Sequence, residues 1–224
     1  MNTFEIEVKS LLGEESKAKE LLDRMAAQDP DFKKTSANKQ LNHYFEGGDM
    51  RKLIESVSSH LNEEQFAKLQ HIVETGKDFS IRTRQKNDEV LLVVKASVDE
   101  GTSANTVSRL EFEEKVNLSL DALDGLVQSA GFKYQAKWSR EREEYKYKGM
   151  TVCLDKNAGY GYLAEFEKVI TDEGALADAR AEIDTVMKEL GVDELPQDRL
   201  ERMFSHYNQN WPDYYGTDKV FVIE

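Results

Sequence analysis

Charged residues recur two apart along this chain, mostly split by single apolar or hydroxyl residues, and that period limits its fold more than any other feature. Residues 5 to 9 read Glu-Ile-Glu-Val-Lys. Successive side chains of a β-strand point to opposite faces. Glu5, Glu7 and Lys9 therefore share one face, with Ile6 and Val8 on the other. The same pattern returns downstream: Arg82 and Arg84 flank Thr83, and Lys95 closes the apolar run Leu91-Leu92-Val93-Val94. Arg109, Glu111, Glu113 and Lys115 align against Leu110, Phe112 and Val116. Arg140 and Arg142 share a face, Asp155 ends a further run, and Glu165 and Glu167 oppose Ala164 and Phe166.

Alternation with β-branched and aromatic residues marks strands near 3–12, 39–46, 78–86, 89–96, 106–117, 134–147, 149–156 and 160–170. Lys86-Asn87-Asp88, Lys148-Gly149 and Asn157-Ala158-Gly159 read as tight connections between them. Helical periodicity covers 14–28 and 50–74, with further helices over 119–130, 174–190 and 197–204; Gly191 caps the fourth of these five. About eight strands joined mostly by short turns predict an α+β fold, a closed eight-stranded antiparallel β-barrel with helices packed outside. The reading is one domain over 1–224, with a helical insertion at 50–74. An aromatic C-terminal extension at 205–224 is expected to pack on its own chain.

Composition narrows the function. With 30 basic and 43 acidic residues the formal charge is −13, which argues against broad binding to nucleic acid or an anionic membrane. No apolar run is long enough to span a bilayer and no leader pattern opens the chain, so a cytoplasmic protein is expected. The single cysteine, Cys153, excludes an internal disulfide. Its setting in Thr-Val-Cys-Leu reads as the apolar side of a strand.

A solvated outer face accounts for one strand of like charges. It accounts poorly for six, because like-charged neighbours repel and solvated sheets mix signs. If the apolar residues pack outward on helices, the inner face gathers Glu5, Glu7, Glu111, Glu113, Asp155, Glu165 and Glu167 beside Lys9, Arg82, Arg84, Lys95, Arg109, Arg140 and Arg142. Buried charge must be paired, wet or occupied. Carboxylates suit a hard divalent cation, and the planar fork of arginine suits phosphate oxygens.

These residues, in this order, resemble the CYTH superfamily, the triphosphate tunnel metalloenzymes, over nearly the whole chain. Glu5-Ile6-Glu7-Val8-Lys9 is similar to its ExExK strand. Ile81-Arg82-Thr83-Arg84, Lys95, Arg109-Leu110-Glu111-Phe112-Glu113, Arg140-Glu141-Arg142, Leu154-Asp155 and Gly161-Tyr162-Leu163-Ala164-Glu165-Phe166-Glu167 follow in the family's order. The resemblance implies a basic tunnel that grips a small triphosphate. It implies Mg²⁺ or Mn²⁺ held by Glu5, Glu7, Glu165 and Glu167. Lys9, Arg82, Arg84, Lys95, Arg109, Arg140 and Arg142 would bind phosphate, and Glu111 or Glu113 would orient a metal or water. Asp155 would join the metal shell or fix an arginine. Lys9, Lys95, Glu111 and Glu113 stand as the catalytic set, in a monomer or homodimer. The second strand departs from the family pattern, with Gln40, Asn42 and Tyr44 where an acid is often found.

Two chemistries fit that resemblance. Attack by water makes a triphosphatase acting on inorganic, thiamine or nucleoside triphosphate, and this is the preferred reading. Attack by a ribose 3′-hydroxyl makes a class IV adenylyl cyclase that releases pyrophosphate. A non-catalytic polyphosphate-binding domain and a protein-interaction module are weaker alternatives.

Overall fold

The computed structural model describes residues 4–97 and 109–223. The strands are β1 (Phe4–Gly13), β2 (Lys33–Gly47), β3 (Lys77–Lys86), β4 (Glu89–Ser97), β5 (Arg109–Val116), β6 (Phe132–Tyr147), β7 (Met150–Asn157) and β8 (Gly161–Ile170). The α-helices are α1 (Glu15–Gln28), α2 (Met50–Val57), α3 (Glu63–Thr75), α4 (Leu120–Ser129), α5 (Leu176–Glu189) and α6 (Gln197–Tyr214). All eight expected strands are present, although Thr3 and residues 106–108 of the expected runs lie outside the described residues.

The strand order is β1-β8-β7-β6-β2-β3-β4-β5. The registered pairs β1–β8, β8–β7, β7–β6, β2–β3, β3–β4 and β4–β5 are antiparallel. The expected α+β fold of eight antiparallel strands with helices packed on them is present, with the one difference that the sheet is not closed into a barrel. Among the described residues β1 and β5 end the order without pairing to each other. Alternation is a local signal, whereas closure needs a second hydrogen-bonded partner for each terminal strand. On β1 the Lys9 carbonyl instead accepts from the Leu195 N–H at 2.7 Å, so the connector between α5 and α6 takes up backbone there.

Two compact units divide the chain: Met1–Lys39 with Ser139–Glu224, and Gln40–Trp138. The long strands β2 and β6 contribute to both. In the first unit Val8, Val152, Leu154, Ala164 and Phe166 pack with Leu21 and Met25 of α1 and Ile183 and Met187 of α5. In the second, Ile81, Leu92, Val94 and Phe112 pack with Leu53, Leu69, Ile72, Leu123 and Val127 of α2, α3 and α4. Each fully buried aliphatic side chain contributes about 1.5–3 kcal/mol. Helices therefore cover the apolar strand face in each unit, and the charged residues are left to the other face.

Local chemistry sets the helix ends. Asp49 accepts from the Arg51 and Lys52 N–H groups to start α2, and Asn62 with Gln65 forms a reciprocal capping box at α3. The expected helix over 50–74 is thus two helices, broken by a 3₁₀ turn at Ser58–His60. Gly191, at φ 64°, donates to Lys188 while Val192 donates to Met187. That is a Schellman end for α5, as its glycine predicts.

The last expected helix, 197–204, continues to Tyr214 because Leu200, Met203, Tyr207 and Tyr214 keep a helical stripe. Tyr207 is fully buried against Tyr160 and Tyr214, and Phe221 meets Tyr160 edge-on at 5.2 Å. The final segment is pinned to Gly159 by two backbone bonds, Gly159 N–H to Lys219 and Phe221 N–H to Gly159. The aromatic extension packs on its own chain.

Candidate active site

In the first unit the antiparallel register builds one charged face from four neighbouring strands. Lys9 lies opposite Glu165, and Glu7 opposite Glu167, across β1 and β8. Glu165 lies opposite Cys153 across β8 and β7, and Asp155 opposite Arg142 across β7 and β6. Asp155 is wholly buried and binds both arginines. Arg142 donates to it through Nε and an Nη, each at 2.7 Å, and Arg140 donates at 2.8 Å. Arg142 also donates to Glu165, and it lies 4.0 Å from Glu167. Lys9 Nζ pairs with Glu7 and stands 3.4 Å from Glu165.

The second unit builds its own charged face on β2 to β5. Arg84 donates through Nε to Asn42 Oδ1 at 2.7 Å and through Nη1 to Glu113 at 2.7 Å. The Arg82 guanidinium lies 4.6 Å over the Tyr44 ring and donates to its hydroxyl at 3.1 Å. Lys95 pairs with Glu111 at 2.9 Å, and Lys115 with Glu89 at 2.9 Å. Gln40 and Asn42 are buried, so β2 adds neutral amides to this face where the family pattern suggests acids. The backbones of Glu5 and Arg109 fall in β1 and β5, but their side chains lie outside the described residues.

Electrostatics follow from burial and neighbours. Burial works against the Arg142 charge, yet its bonds to Asp155 and the charges of Asp155 and Glu165 push its pKa well up. Burial also opposes ionisation of Glu165, but Lys9, Arg142 and Arg140 outweigh it and hold the carboxyl below the usual range. Both groups are therefore charged at neutral pH.

Cys153 lies on the charged face and not on the apolar side that its sequence setting suggests. It is buried, but it shares the charged face with Asp155, and its thiol lies 3.7 Å from Glu167 Oε1. The two-residue offset from Asp155 carried that information, because residues 153 and 155 must point the same way. Burial and the neighbouring carboxylates push the thiol pKa up despite Arg142, so it is a neutral hydrogen-bond donor and not a nucleophile. Sequence reasoning also missed Asp124, which bonds to buried His43 and Thr83. Its signal was an acid inside the apolar stripe Leu120, Leu123, Val127.

The acidic residues fit a divalent cation. Glu7 and Glu167 face each other across β1 and β8. With Glu165 and Asp155 they set four carboxylates against the three cations Lys9, Arg140 and Arg142, which leaves room for a further positive charge. Ligand atoms of Glu165, Glu167 and Cys153 lie within 4.8 Å of one another, close enough to share an ion. Carboxylate oxygens suit Mg²⁺ or Mn²⁺, whereas a protonated thiol adds little to a hard ion.

A family model of the CYTH domain matches residues 69–199, more than half of the chain, and the chain belongs to the CYTH family. Enzymes of this family are divalent-metal-dependent triphosphatases or adenylyl cyclases. The fold is shared with solved structures. A proposed adenylate cyclase from Vibrio parahaemolyticus is 16% identical, with 92% of this chain and 99% of that chain covered and a TM-score of 0.58. A Pyrococcus horikoshii protein is 22% identical, with 87% and 94% covered and a TM-score of 0.55. A proposed adenylyl cyclase from Hippeastrum, described as having a dominant triphosphatase activity, is 17% identical, with 91% and 96% covered and a TM-score of 0.52. No curated protein matches the sequence. Among the described residues no helix is long and apolar enough to cross a membrane.

Proposed function

We propose that this chain is a cytoplasmic, divalent-metal-dependent hydrolase of a short triphosphate, either inorganic triphosphate or a small organic one such as thiamine triphosphate or a nucleotide. The observation that carries the reading is the pair Arg140 and Arg142, held on one wholly buried carboxylate beside Glu165 and Glu167. Guanidiniums fixed in this way meet a polyanion without reorganising, which is the main thing phosphoryl transfer asks of a protein. In this role Asp155 fixes the arginines in preference to joining the metal shell.

Glu5, Glu7, Glu165 and Glu167 are assigned to hold Mg²⁺ or Mn²⁺. When bound, the ion neutralises charge that develops on the phosphate oxygens. Lys9, Arg82, Arg84, Lys95, Arg109, Arg140 and Arg142 are assigned to phosphate oxygens. Glu111 and Glu113, which anchor Lys95 and Arg84, are assigned to orient those cations and the attacking water.

Product analysis tests the reading. The protein is incubated with Mg²⁺ or Mn²⁺ and, separately, with triphosphate, thiamine triphosphate and ATP. Orthophosphate release supports a hydrolase, and the fastest substrate names it. Cyclic AMP with pyrophosphate replaces the proposal with a cyclase. No product from any of the three leaves a binding domain.

A further inference from the structure

Behind the charged face of the second unit lies a buried polar cluster that the proposed reaction does not use. Asp124 projects from α4 among Leu120, Leu123 and Val127, and it is only 2% exposed. Its Oδ1 accepts from the Thr83 hydroxyl at 2.5 Å. Its Oδ2 accepts from His43 Nδ1 and from the Tyr134 hydroxyl, each at 2.6 Å. A buried carboxylate at an apolar stripe position is costly, and an aliphatic side chain there would serve packing at least as well.

The strand register suggests what the carboxylate does. His43 and Thr83 are direct cross-strand partners on β2 and β3. The pairs on either side are Asn42 with Arg84 and Tyr44 with Arg82. These flanking side chains point to the opposite face, where Asn42 holds Arg84 Nε and Tyr44 underlies Arg82. One carboxylate therefore ties β2 to β3 at the rung between the two arginine rungs, and Tyr134 ties in β6, which neighbours β2 in the sheet.

We propose that Asp124 is a positioning residue for the Arg82–Arg84 pair, acting through His43 and Thr83 to fix the strand geometry on which both guanidiniums are aimed. The inference rests on the reading of those arginines as phosphate ligands, so its test needs one arm that does not use phosphate.

Thr83→Val removes one donor to Asp124 while keeping the side-chain shape, Tyr134→Phe removes another, and Thr83→Ser restores the first. The first readout is the exchange rate of the Arg84 Nε–H proton by NMR, compared with backbone amides of β3. The second is the dissociation constant of inorganic triphosphate by calorimetry. In Thr83→Val the Nε–H should exchange roughly tenfold faster, as expected for weakening one hydrogen bond by about 1.4 kcal/mol. Triphosphate binding should weaken by a similar factor, the β3 amides should keep their rates, and Thr83→Ser should return both readouts toward the parent. Tyr134→Phe should move both readouts in the same direction by less.

Unchanged Nε–H exchange in folded Thr83→Val overturns the proposal. So does acceleration of Nε–H and backbone amides by the same factor, which marks a staple for general stability. If the parent protein does not bind triphosphate, the functional reading fails, and the exchange arm still decides the role of Asp124.

Discussion

Replacing Asp155 by Asn should destabilise the protein more than any other single change of a charged residue on the face it occupies. The carboxylate is wholly buried and receives three hydrogen bonds of 2.7 to 2.8 Å from two arginines. Asparagine keeps one acceptor but turns an NH₂ group toward guanidinium donors, and it removes the shared counter-charge. Removing one partner from a buried ion pair costs about 3–5 kcal/mol. Arg142 retains Glu165, and the Arg140 side chain is 20% exposed and so partly screened. The expected loss is therefore near the lower end, about 3 kcal/mol. With a urea slope of about 3 kcal/mol/M, the midpoint should fall by about 1 M at neutral pH. Triphosphate at a hundred times its dissociation constant should return about 2.7 kcal/mol to any variant that still binds it. A loss below about 1 kcal/mol at unchanged slope would refute the reasoning, because the two guanidiniums would then not depend on Asp155.

Three further outcomes follow from the same geometry. Glu7→Gln should abolish turnover while changing stability by less than about 1 kcal/mol, since Glu7 and Lys9 are each 31% exposed; parent-level turnover removes Glu7 from the metal set. Arg82→Ala should weaken binding of triphosphate far more than binding of orthophosphate, measured by calorimetry, and equal losses would count against a triphosphate cradle. Acid should act on the Asp124 cluster with a defined sign. Burial pushes the Asp124 pKa up, but bonds from His43, Thr83 and Tyr134 outweigh it and hold the group below the ordinary aspartate value. Its stabilisation is thus fully present above about pH 4 and lost as pH falls through its lower folded value. The difference in urea midpoint between parent and Asp124→Asn should shrink as pH falls below about 4. A difference that persists to about pH 2 would contradict the assignment.

The strands were legible because alternation is written residue by residue, and the same parity separated the charged from the apolar face. What escaped depends on contacts between elements. The first half of β2, Lys33 to Asn38, is mostly polar and pairs beside β6, as the Thr35 hydroxyl bond to the Glu144 carbonyl shows. No local pattern marks such a strand. Closure could not be read either, since nothing in β1 states that Leu195 will take the Lys9 carbonyl. Two other features are written locally in the sequence. Asn62 and Gln65 announce a new helix start within 50–74, and Asp124 interrupts an apolar stripe. In the site, Arg140 and Arg142 were visible as a pair, whereas their common anchor on Asp155 needed the β6–β7 register.

The division of the chain into a contiguous unit and a split one has a kinetic consequence. The unit formed by Gln40–Trp138 is complete as soon as that stretch has been synthesised. Among the described residues the strand partner of β1, at the start of the other unit, is β8, whose register with it runs along Phe4 to Gly13, so β1 waits for β8 to appear. Its edge and its apolar Ile6 and Val8 are exposed in the meantime, a hazard for association with other nascent chains. Closing so long a loop also slows the pairing relative to the local hairpin β3–β4. Pulse-labelled hydrogen exchange during refolding should therefore protect β3 and β4 before β1 and β8. Simultaneous protection would mean that the interrupted half folds as fast as the segment inserted into it.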